Sequence, residues 1–367
     1  MGPSLALRVL FVAFGEAGGA EYGLATHLRH RPDDVEAAAL LLAPGPGEEL
    51  LEAAGVRVSA GSVGVPITIA GAAGFERRLV GELRRLRPDL VHATGVREAF
   101  LCAPVCRLVG IPLVWHKVDL AFDRRLAAPL SRLCRGVIAV SEAAAAAIPP
   151  NRLLAIVPPP VRLPEDFVVT SPRPPATLGT IGRLATHKGH HHVIEAAGRL
   201  RDEFPDIRVL IAGGPVPYDA GCEALLRETA ARWNLEDRVE LLGHVDHVEE
   251  VLERLTVLVN ATYREDAEGF GHEALGAAII EAGWAGLPVV ATSGGGAPEA
   301  VRDGVTATLV PPAQPAAIAD AVRRYLADPE AAEAAGHAGA EFTRERFPPG
   351  VLTERLFSEL RTVARQR

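Results

Sequence analysis

Short apolar runs of strand length alternate with amphipathic helical patterns along most of this chain. The alternation limits the fold more than any other feature, because strands separated by helices form βαβ units and parallel sheets. It occurs in two series. The first contains apolar runs at 8–13, 37–42, 90–93, 113–115, 137–140 and 154–157. The second contains runs at 177–181, 208–212, 239–242, 257–260, 288–291 and 307–310.

A proline-rich stretch at residues 157–175 separates the two series. Repeated prolines cannot continue a helix or a central strand, so this stretch is typical of a linker between domains. The sequence therefore predicts an α/β protein with two doubly wound, Rossmann-like domains, over residues 1–165 and 166–348. Residues 349–367 predict one further helix, whose apolar stripe is Val351, Leu352, Leu356, Leu360 and Val363.

Composition excludes several classes of function. The chain has 367 residues and a formal net charge of −8, so it lacks the strongly basic balance of a nucleic-acid-binding protein. Its four cysteines form no C-x-x-C pair, which favours buried thiols in a reducing compartment over a metal or disulfide role. No run approaches the roughly 20 apolar residues that span a bilayer, and we do not expect the first apolar run, which is of strand length, to be a cleavable signal. We expect a soluble, cytoplasmic protein.

The segment between Glu273 and Glu281 is the most informative for function. Gly276, followed by the small residues Ala277 and Ala278, predicts a helix start with unpaired backbone N–H groups. Such a start favours a phosphate group, so a diphosphate could dock there. Glu281 would lie about one turn into this helix, where a carboxylate can accept hydrogen bonds from ribose hydroxyls. Glu273 would precede the helix and face a second polyol.

Two glycine-containing loops follow predicted strands. Arg183 and Lys188 come directly after the run 177–181, where both cations could reach one diphosphate. The alternative is a pair of solvated surface cations. Gly18 and Gly19 follow the first run, and they could allow a phosphate or sugar to approach the backbone. The alternative there is a tight turn without a ligand, because the spacing is not G-x-G-x-x-G.

His116 follows the run 113–115 and would begin a loop, where it could donate to a substrate hydroxyl or shuttle a proton. A structural role is the alternative. The histidines at 187 and 190–192 resemble a metal tract, but no cysteine or carboxylate cluster accompanies them. No D-x-D occurs in the chain, so the simplest carboxylate clamp for a metal–nucleotide complex is missing. We expect no cofactor and no divalent metal.

In their order, these residues resemble the family 4 retaining glycosyltransferases of the GT-B fold. The matching pieces extend over nearly the whole chain: residues 18–21, 140–142, 182–184, 188–189, 286–288, 294–296 and 303–304, with Glu273, Glu281 and Glu299. The resemblance implies a nucleotide-sugar donor bound mainly by the second domain and an acceptor bound mainly by the first. It also implies that the sugar is transferred with retention at the anomeric carbon, and that the terminal helix crosses back onto the first domain.

The resemblance also implies individual roles. Arg183 and Lys188 would neutralise the diphosphate leaving group, Glu281 would bind ribose, and Glu273 would contact the transferred sugar. His116 matches the family histidine near the donor sugar. The main chain of Gly243, His244 and Val245 matches the segment that usually reads the base, for which the family suggests uridine. These assignments are what the resemblance implies.

One departure concerns the register of the glutamate motif. Glu268 begins a segment, Glu-Gly-Phe-Gly, that also resembles the usual start of that motif. Glu273 precedes Glu281 by eight residues and Glu268 precedes it by thirteen. This spacing favours Glu273 as the motif glutamate and suggests that 268–272 is an insertion near the site.

The prediction is a retaining glycosyltransferase that uses a nucleoside-diphosphate sugar, a UDP-sugar in the first instance. The alternatives are a sugar-nucleotide 2-epimerase of the same fold and a sugar-nucleotide-binding protein without turnover. The acceptor could be a small molecule, a lipid or a polysaccharide. A basic amphipathic helix at 75–87 could rest on an anionic membrane, or it could be a surface helix packed on the first sheet.

Overall fold

The computed structural model describes residues 6–64, 67–169, 176–263 and 272–366. The chain forms two compact units, one of Met1–Arg162 with Phe347–Arg367 and the other of Leu163–Arg346. The boundary between residues 162 and 163 falls inside the proline-rich stretch, of which residues 170–175 lie outside the described part. Both units are parallel α/β structures, as the alternation predicts.

The first unit contains a seven-stranded parallel sheet in the order β3-β2-β1-β4-β5-β6-β7. Its strands are β1 Leu7–Ala13, β2 Val35–Leu41, β3 Arg57–Ala60, β4 Leu90–Thr94, β5 Leu113–Lys117, β6 Gly136–Ala139 and β7 Leu153–Ile156. The helices between them are α1 Gly19–Arg29, α2 Gly47–Glu52, α3 Ile69–Leu86, α4 Val96–Val109, α5 Ala128–Ser131 and α6 Glu142–Ala145. A π-helical turn, Asp123–Ala127, precedes α5.

The second unit contains a six-stranded parallel sheet in the order β10-β9-β8-β11-β12-β13. Its strands are β8 Thr177–Ile181, β9 Arg208–Ala212, β10 Val239–Gly243, β11 Val257–Asn260, β12 Val289–Thr292 and β13 Ala307–Val310. Its helices are α7 His190–Leu200, α8 Cys222–Arg232, α9 Val248–Leu252, α10 Ala277–Trp284, α11 Pro315–Ala327 and α12 Pro329–Arg346. Helix α13, Pro349–Arg365, follows and belongs to the first unit.

Strand alternation decides which helices cover each face of the first sheet. Val9 and Phe11 of β1 pack in one core cluster with the buried residues of α1 and α13. Leu10 and Val12 point to the other face, where they pack with residues of α3 and α4. Successive side chains of a strand point to opposite faces, so one continuous apolar run supplies both cores.

Helix α3 contains the basic segment that could have rested on a membrane. Phe75, Leu79 and Leu83 are buried in the core between this helix and the sheet. The apolar face of α3 is therefore occupied by the first unit itself. In the described part of the chain, no helix is both long and apolar enough to cross a bilayer. All four cysteines are buried free thiols, as predicted.

Three details differ from the sequence prediction. Strand β3 was not predicted, because Arg57–Ala60 is a short edge strand with little apolar content. Strand β5 continues to Lys117, so His116 lies within the strand and does not begin the loop. Val351, expected in the apolar stripe of α13, is 64% exposed, whereas the other four members of that stripe are buried.

Candidate active site

Two hydrogen bonds beyond the regular β-ladder of the second sheet connect the carboxyl ends of β8, β9 and β10. The Gly182 N–H donates to the Ala212 carbonyl at 2.9 Å, and the Gly213 N–H donates to the Gly243 carbonyl at 2.7 Å. A Cβ atom at Gly213 would lie 1.8 Å from the Gly182 oxygen, so only glycine fits there. These bonds fix the loop that begins with Arg183 at the centre of the sheet edge.

Arg183 is an exposed residue on a fixed backbone. Its guanidinium carbon lies 5.8 Å from the centroid of the Tyr218 ring. Its carbonyl is 3.0 Å from Nε2 of His190, and Nδ1 of that ring is 3.0 Å from the Thr180 hydroxyl. Burial lowers the pKa of His190 to about 4, so the ring is neutral and bridges strand and loop. His190 is thus committed to holding the backbone of Arg183 rather than to a metal.

Lys188 ends a short 3-10 turn, Thr186–Lys188, which Gly189 closes with φ of 70°. A Cβ atom at Gly189 would lie 2.1 Å from the Ala261 carbonyl oxygen, so the turn packs directly on the residue after β11. The Lys188 ammonium lies 2.6 Å from Oε1 of Glu273, and both side chains are less than one-fifth exposed. The structure therefore brings two of the predicted site residues into one ion pair.

The same oxygen of Glu273 accepts two further hydrogen bonds. The Thr262 hydroxyl donates at 2.7 Å and the Asn260 amide at 3.3 Å. Burial raises the pKa of Glu273, but the Lys188 charge and these hydrogen bonds outweigh it and lower the pKa to about 2. Among the described residues, none donates a hydrogen bond to Oε2. One oxygen of this ionised carboxylate is thus bound by the protein, and the other can accept from a ligand hydroxyl.

The glycines at 294 and 296 support the segment that contains Glu273. The Gly296 N–H donates to the Glu273 carbonyl at 2.8 Å. A Cβ atom at Gly296 would lie 1.9 Å from the Ala274 oxygen, and one at Gly294 would lie 2.4 Å from Nδ1 of His272. The glycine-rich turn after β12 therefore packs against the residues before α10. Its glycines are needed for this close approach.

Helix α10 begins where the sequence predicts. Gly276 is its N-cap, with φ of 99°, a backbone conformation that favours glycine. The N–H groups of Ile279 and Ile280 donate to the Gly276 carbonyl at 3.0 and 3.2 Å. Those of Ala277 and Ala278 have no hydrogen-bond acceptor within the described ranges. A pair of donors at a helix N-terminus attracts an anion, because the helix dipole adds to their charge.

Glu281 lies one turn further along α10 and is buried, with 6% of its surface exposed. Gly243, predicted to read a base, ends the edge strand β10 in a left-handed conformation with φ of 70°. His244 is exposed, and its Nε2 lies 3.3 Å from Asp246. Val245 is half-buried. These residues lie at the same sheet edge as Arg183.

In the first unit, Gly18 is the N-cap of α1 and Gly19 is its first residue. The Gly18 N–H donates to the carboxylate of Glu21 at 3.2 Å, which is one half of a capping box. This N–H group is therefore occupied within the chain. The arrangement supports the interpretation of Gly18 as part of a tight turn without a ligand. Gly19 is the first residue of the helix itself.

His116 is the fourth residue of β5, between Thr94 of β4 and Ile138 of β6. It is 5% exposed, and burial lowers its pKa to about 4, against a smaller opposing effect of a hydrogen bond with the Val157 main chain. The ring is neutral near pH 7. Its Nε2 atom has no hydrogen-bond partner in the described part of the chain. The ring of His92 lies 5.2 Å away.

In each unit, some residues at the carboxyl ends of the strands were not predicted. Asn260 ends β11 and Thr262 follows it, and polar residues at the end of a buried strand were the available signal. Lys117 is fully buried and lies 2.6 Å from Asp123 of the π-helical turn. Asp119 accepts from the first N–H of α4, that of Val96, at 3.4 Å. These contacts hold the loop after β5 against the start of α4.

Each sheet reverses its strand order once, between β1 and β4 in the first and between β8 and β11 in the second. Ligands of open α/β sheets bind at the carboxyl ends of the strands beside such a reversal. In the second unit, Arg183 follows β8, and Lys188 pairs there with Glu273. In the first unit, Gly18 follows β1, and His116 lies near the end of β5.

Two family models match the chain in succession. One is described as Glycosyltransferase Family 4 and matches residues 18–163. The other is described as Glycosyl transferases group 1 and matches residues 162–342. A 2-deoxystreptamine glucosyltransferase of Streptomyces kanamyceticus is 30% identical over 306 residues, which cover 72% of this chain and 76% of the relative. The chain belongs to glycosyltransferase family 4. It is a glycosyltransferase of the GT-B type.

Solved structures share the fold of this chain. Anabaena HepE in complex with UDP and glucose has a TM-score of 0.84 and 22% sequence identity, covering 96% of this chain and 99% of that chain. HepE in complex with UDP-glucose has a TM-score of 0.84 and 21% identity, covering 97% and 100%. At this identity the likeness establishes the GT-B fold.

Proposed function

We propose that this glycosyltransferase transfers a hexosyl group from a UDP-sugar to an acceptor hydroxyl, with retention at the anomeric carbon and without a divalent metal. The observation that carries the proposal is the start of α10. There, the N–H groups of Ala277 and Ala278 have no acceptor among the described residues, and they come four and five residues after Glu273, which pairs with Lys188. A diphosphate is the ligand that such donors and cations favour.

Each part of the donor has a complementary group in the second unit. The N–H groups of Ala277 and Ala278, with Lys188 and Arg183, would bind the diphosphate. Oε2 of Glu273 would accept from a hydroxyl of the transferred sugar, since Oε1 is held by Lys188. Glu281 would bind the ribose hydroxyls, and the main chain of 243–245 would contact the base. The choice of uridine is supported by HepE, whose structures contain UDP and UDP-glucose.

Stabilisation of the leaving group accounts for the chemistry. The bond between the anomeric carbon and the diphosphate oxygen breaks, and its electron pair passes to the diphosphate. The acceptor oxygen bonds to the same face of the sugar, and its proton passes to a diphosphate oxygen. Arg183 and Lys188 would supply the positive charge for this step, and the sequence has no D-x-D to hold a metal. His116 would contact the donor sugar through Nε2.

A donor panel tests the proposal. UDP, GDP and ADP, with the corresponding sugars, should raise the melting temperature in proportion to occupancy, and the uridine compounds should raise it most. Release of nucleoside diphosphate should then be measured with and without acceptors. Acceptor-dependent release supports the proposal. Conversion of the donor sugar without an acceptor would indicate a 2-epimerase. Binding without turnover across a broad acceptor panel would indicate a binding protein.

A further inference from the structure

Two helices of the first unit begin in the same way, but their glutamates are used differently. Helices α1 and α4 each have a glycine N-cap and a glutamate at the third helical position. A glutamate at that position ordinarily accepts from the N-cap N–H. Glu21 does so, at 3.2 Å from the nitrogen of Gly18. The Gly95 N–H instead donates to the His116 carbonyl at 3.0 Å, so Glu98 is not used in capping.

Glu98 is nevertheless buried at the edge of the first sheet. It is 4% exposed, and its Oε2 lies 2.4 Å from the position that a Cβ atom of Gly95 would occupy. Gly95 is the residue directly after β4, which adjoins β1 at the reversal of strand order. Among the described residues, no other residue donates a hydrogen bond to this carboxyl group, which bonds only with its own main chain. A buried carboxyl group that bonds only with its own main chain keeps acceptor capacity that a ligand can use.

The charges around Glu98 favour a cation. Glu21 of α1 and Asp119 of the loop after β5 both act on it through their negative charges, and Arg97 is the opposing positive charge. Arg97 also lies over the ring of Phe14, with its guanidinium carbon 5.3 Å from the centroid. Burial, with a smaller effect of the two neighbouring carboxylates, raises the pKa of Glu98 to about 8 against the opposing effect of its main-chain hydrogen bond.

A second group at the same edge has one ring nitrogen without a partner among the described residues. His116 lies on β5 next to β4, and the bond between its carbonyl and Gly95 joins it to the start of α4. Its Nε2 atom is buried and has no partner among the described residues. A neutral imidazole with an open nitrogen can accept or donate to a hydroxyl. Glu98 and His116 thus offer an ionisable carboxyl group and a neutral polar group at adjoining strands.

We propose that the acceptor is a polyol with a primary ammonium group, an amino sugar or an aminocyclitol, and that Glu98 binds this ammonium group. The inference rests on the proposed function, since it names the acceptor of that reaction. The ammonium ion pairs with the Glu98 carboxylate at the end of β4, and Glu21 and Asp119 add attraction at longer range. A neutral polyol lacks this interaction and leaves the carboxyl group unpaired. Glu98 is therefore a specificity-determining residue.

Proton linkage follows from this pairing. Glu98 is largely protonated at pH 7 in the free protein, and it is ionised when an ammonium group lies beside it. Binding of an amine acceptor at pH 7 should therefore release close to one proton. The affinity should rise between pH 6 and 8, because less free energy is then spent on deprotonating Glu98. Arg97, Glu21 and Asp119 are the charged groups that act on Glu98.

Calorimetry with matched probes tests the inference. 2-Deoxystreptamine is compared with scyllo-inositol, and glucosamine with glucose, in the presence of saturating UDP. In the wild-type protein, at least one amine should bind about tenfold or more tightly than its neutral counterpart, as expected for a charge-assisted hydrogen bond. Glu98→Gln should abolish this preference. Glu49→Gln removes an exposed carboxylate from the first turn of α2 and should leave it unchanged.

Proton release gives an independent readout. Titrations at pH 7 in buffers of different ionisation enthalpy should show release in the wild-type protein and none in Glu98→Gln. The inference would be overturned if amine and neutral probes bind with equal affinity or if neither binds. It would also be overturned if the preference for the amine survives in Glu98→Gln. UDP titration of the same samples distinguishes a failure of the acceptor inference from a failure of the proposed function. Normal UDP affinity with no amine preference removes only the acceptor inference, whereas absent UDP binding removes the proposed function.

Discussion

The ammonium of Lys188 lies 2.6 Å from Oε1 of Glu273, within a site where both side chains are less than one-fifth exposed. The sequence assigned these residues to different parts of a donor, the diphosphate and the sugar. Their ion pair makes them one unit, because neither can move without leaving the other unpaired. A buried charge without its partner is strongly unfavourable, so the pair fixes both groups before a ligand arrives.

Substitutions at Arg183 and Lys188 should affect UDP affinity and the stability of the protein to different extents. Arg183 is exposed, so Arg183→Ala should weaken UDP binding by about 1.5–3 kcal/mol and change the free energy of unfolding little. Lys188→Met should weaken UDP binding similarly, and it should also destabilise the fold by about 3 kcal/mol, because it leaves Glu273 unpaired. Calorimetry and urea denaturation give the two quantities. Unchanged UDP affinity in both variants would remove these residues from the site.

The double variant Lys188→Met/Glu273→Gln is the control for this interpretation. It removes both charges, so most of the lost stability should return while UDP binding stays weak. If the double variant is as unstable as Lys188→Met, the loss comes from packing rather than from an unpaired carboxylate.

The register of the glutamate motif can be decided by kinetics. Glu273 accepts from Lys188 and Thr262 at the start of the segment that leads into α10, whereas Glu268 lies outside the described residues. Glu273→Gln should lower kcat by roughly a hundredfold or more and change donor affinity far less, because the contact matters most as charge develops on the sugar. Glu268→Gln should change kcat modestly. The reverse pattern would place the motif at Glu268.

Metal independence is a third prediction. The chain has no D-x-D, and Arg183 and Lys188 provide two positive charges for the leaving group. Transfer activity should therefore be unchanged after dialysis against excess EDTA. Activity that EDTA abolishes and Mg²⁺ or Mn²⁺ restores would contradict this prediction and would give the acidic side chains of the site a different role.

Much of the fold could be predicted because hydrophobic patterning is local. Strands β8, β9, β11 and β13 begin and end where their apolar runs do. The start of α10 at Gly276 was also predictable, from a glycine followed by small residues. Strand β3 was missed because an edge strand needs few apolar side chains, and Arg57–Ala60 has little periodic signal.

The contacts that define the site could not be predicted in the same way. Glu273 is paired with Lys188 across 85 residues of sequence, and its other partners, Asn260 and Thr262, lie on a different strand end. Glu98 illustrates the same limit. Its sequence position is that of a capping glutamate, and only the bond from Gly95 to His116 shows that it does not cap α4. Such information exists only after the strands are placed side by side.

Glycine substitutions test the close approach that positions Lys188. Gly189 has φ of 70°, and a Cβ atom there would lie 2.1 Å from the Ala261 carbonyl oxygen. Gly189→Ala should destabilise the protein by about 2 kcal/mol or more and weaken UDP binding, because the turn must move. Gly81 in the exposed part of α3 has no atom within 4 Å of such a Cβ. Gly81→Ala should stabilise the protein by about 0.5–1 kcal/mol. Equal stabilities of the two variants would show that the turn adapts.

The buried carboxyl group of Glu98 should make stability depend on pH even without an acceptor. Its pKa is raised, mainly by burial, from 4.5 to about 8. The folded protein therefore holds this proton more tightly than the unfolded chain does. The stability associated with the neutral group is fully present below about pH 4.5 and is lost as the pH rises through 8. Glu98→Gln has the shape of the neutral acid and cannot ionise.

The melting temperature of Glu98→Gln relative to the wild-type protein should consequently increase between pH 5 and 9. A difference of several degrees at pH 9 is expected, since each kcal/mol shifts the melting temperature by about 2–4 °C at this domain size. Glu49→Gln, which removes an exposed carboxylate, should show a small and constant difference. A pH-independent difference for Glu98→Gln would mean that Glu98 is already ionised and paired in the free protein, and the proton release proposed for acceptor binding would then be absent as well.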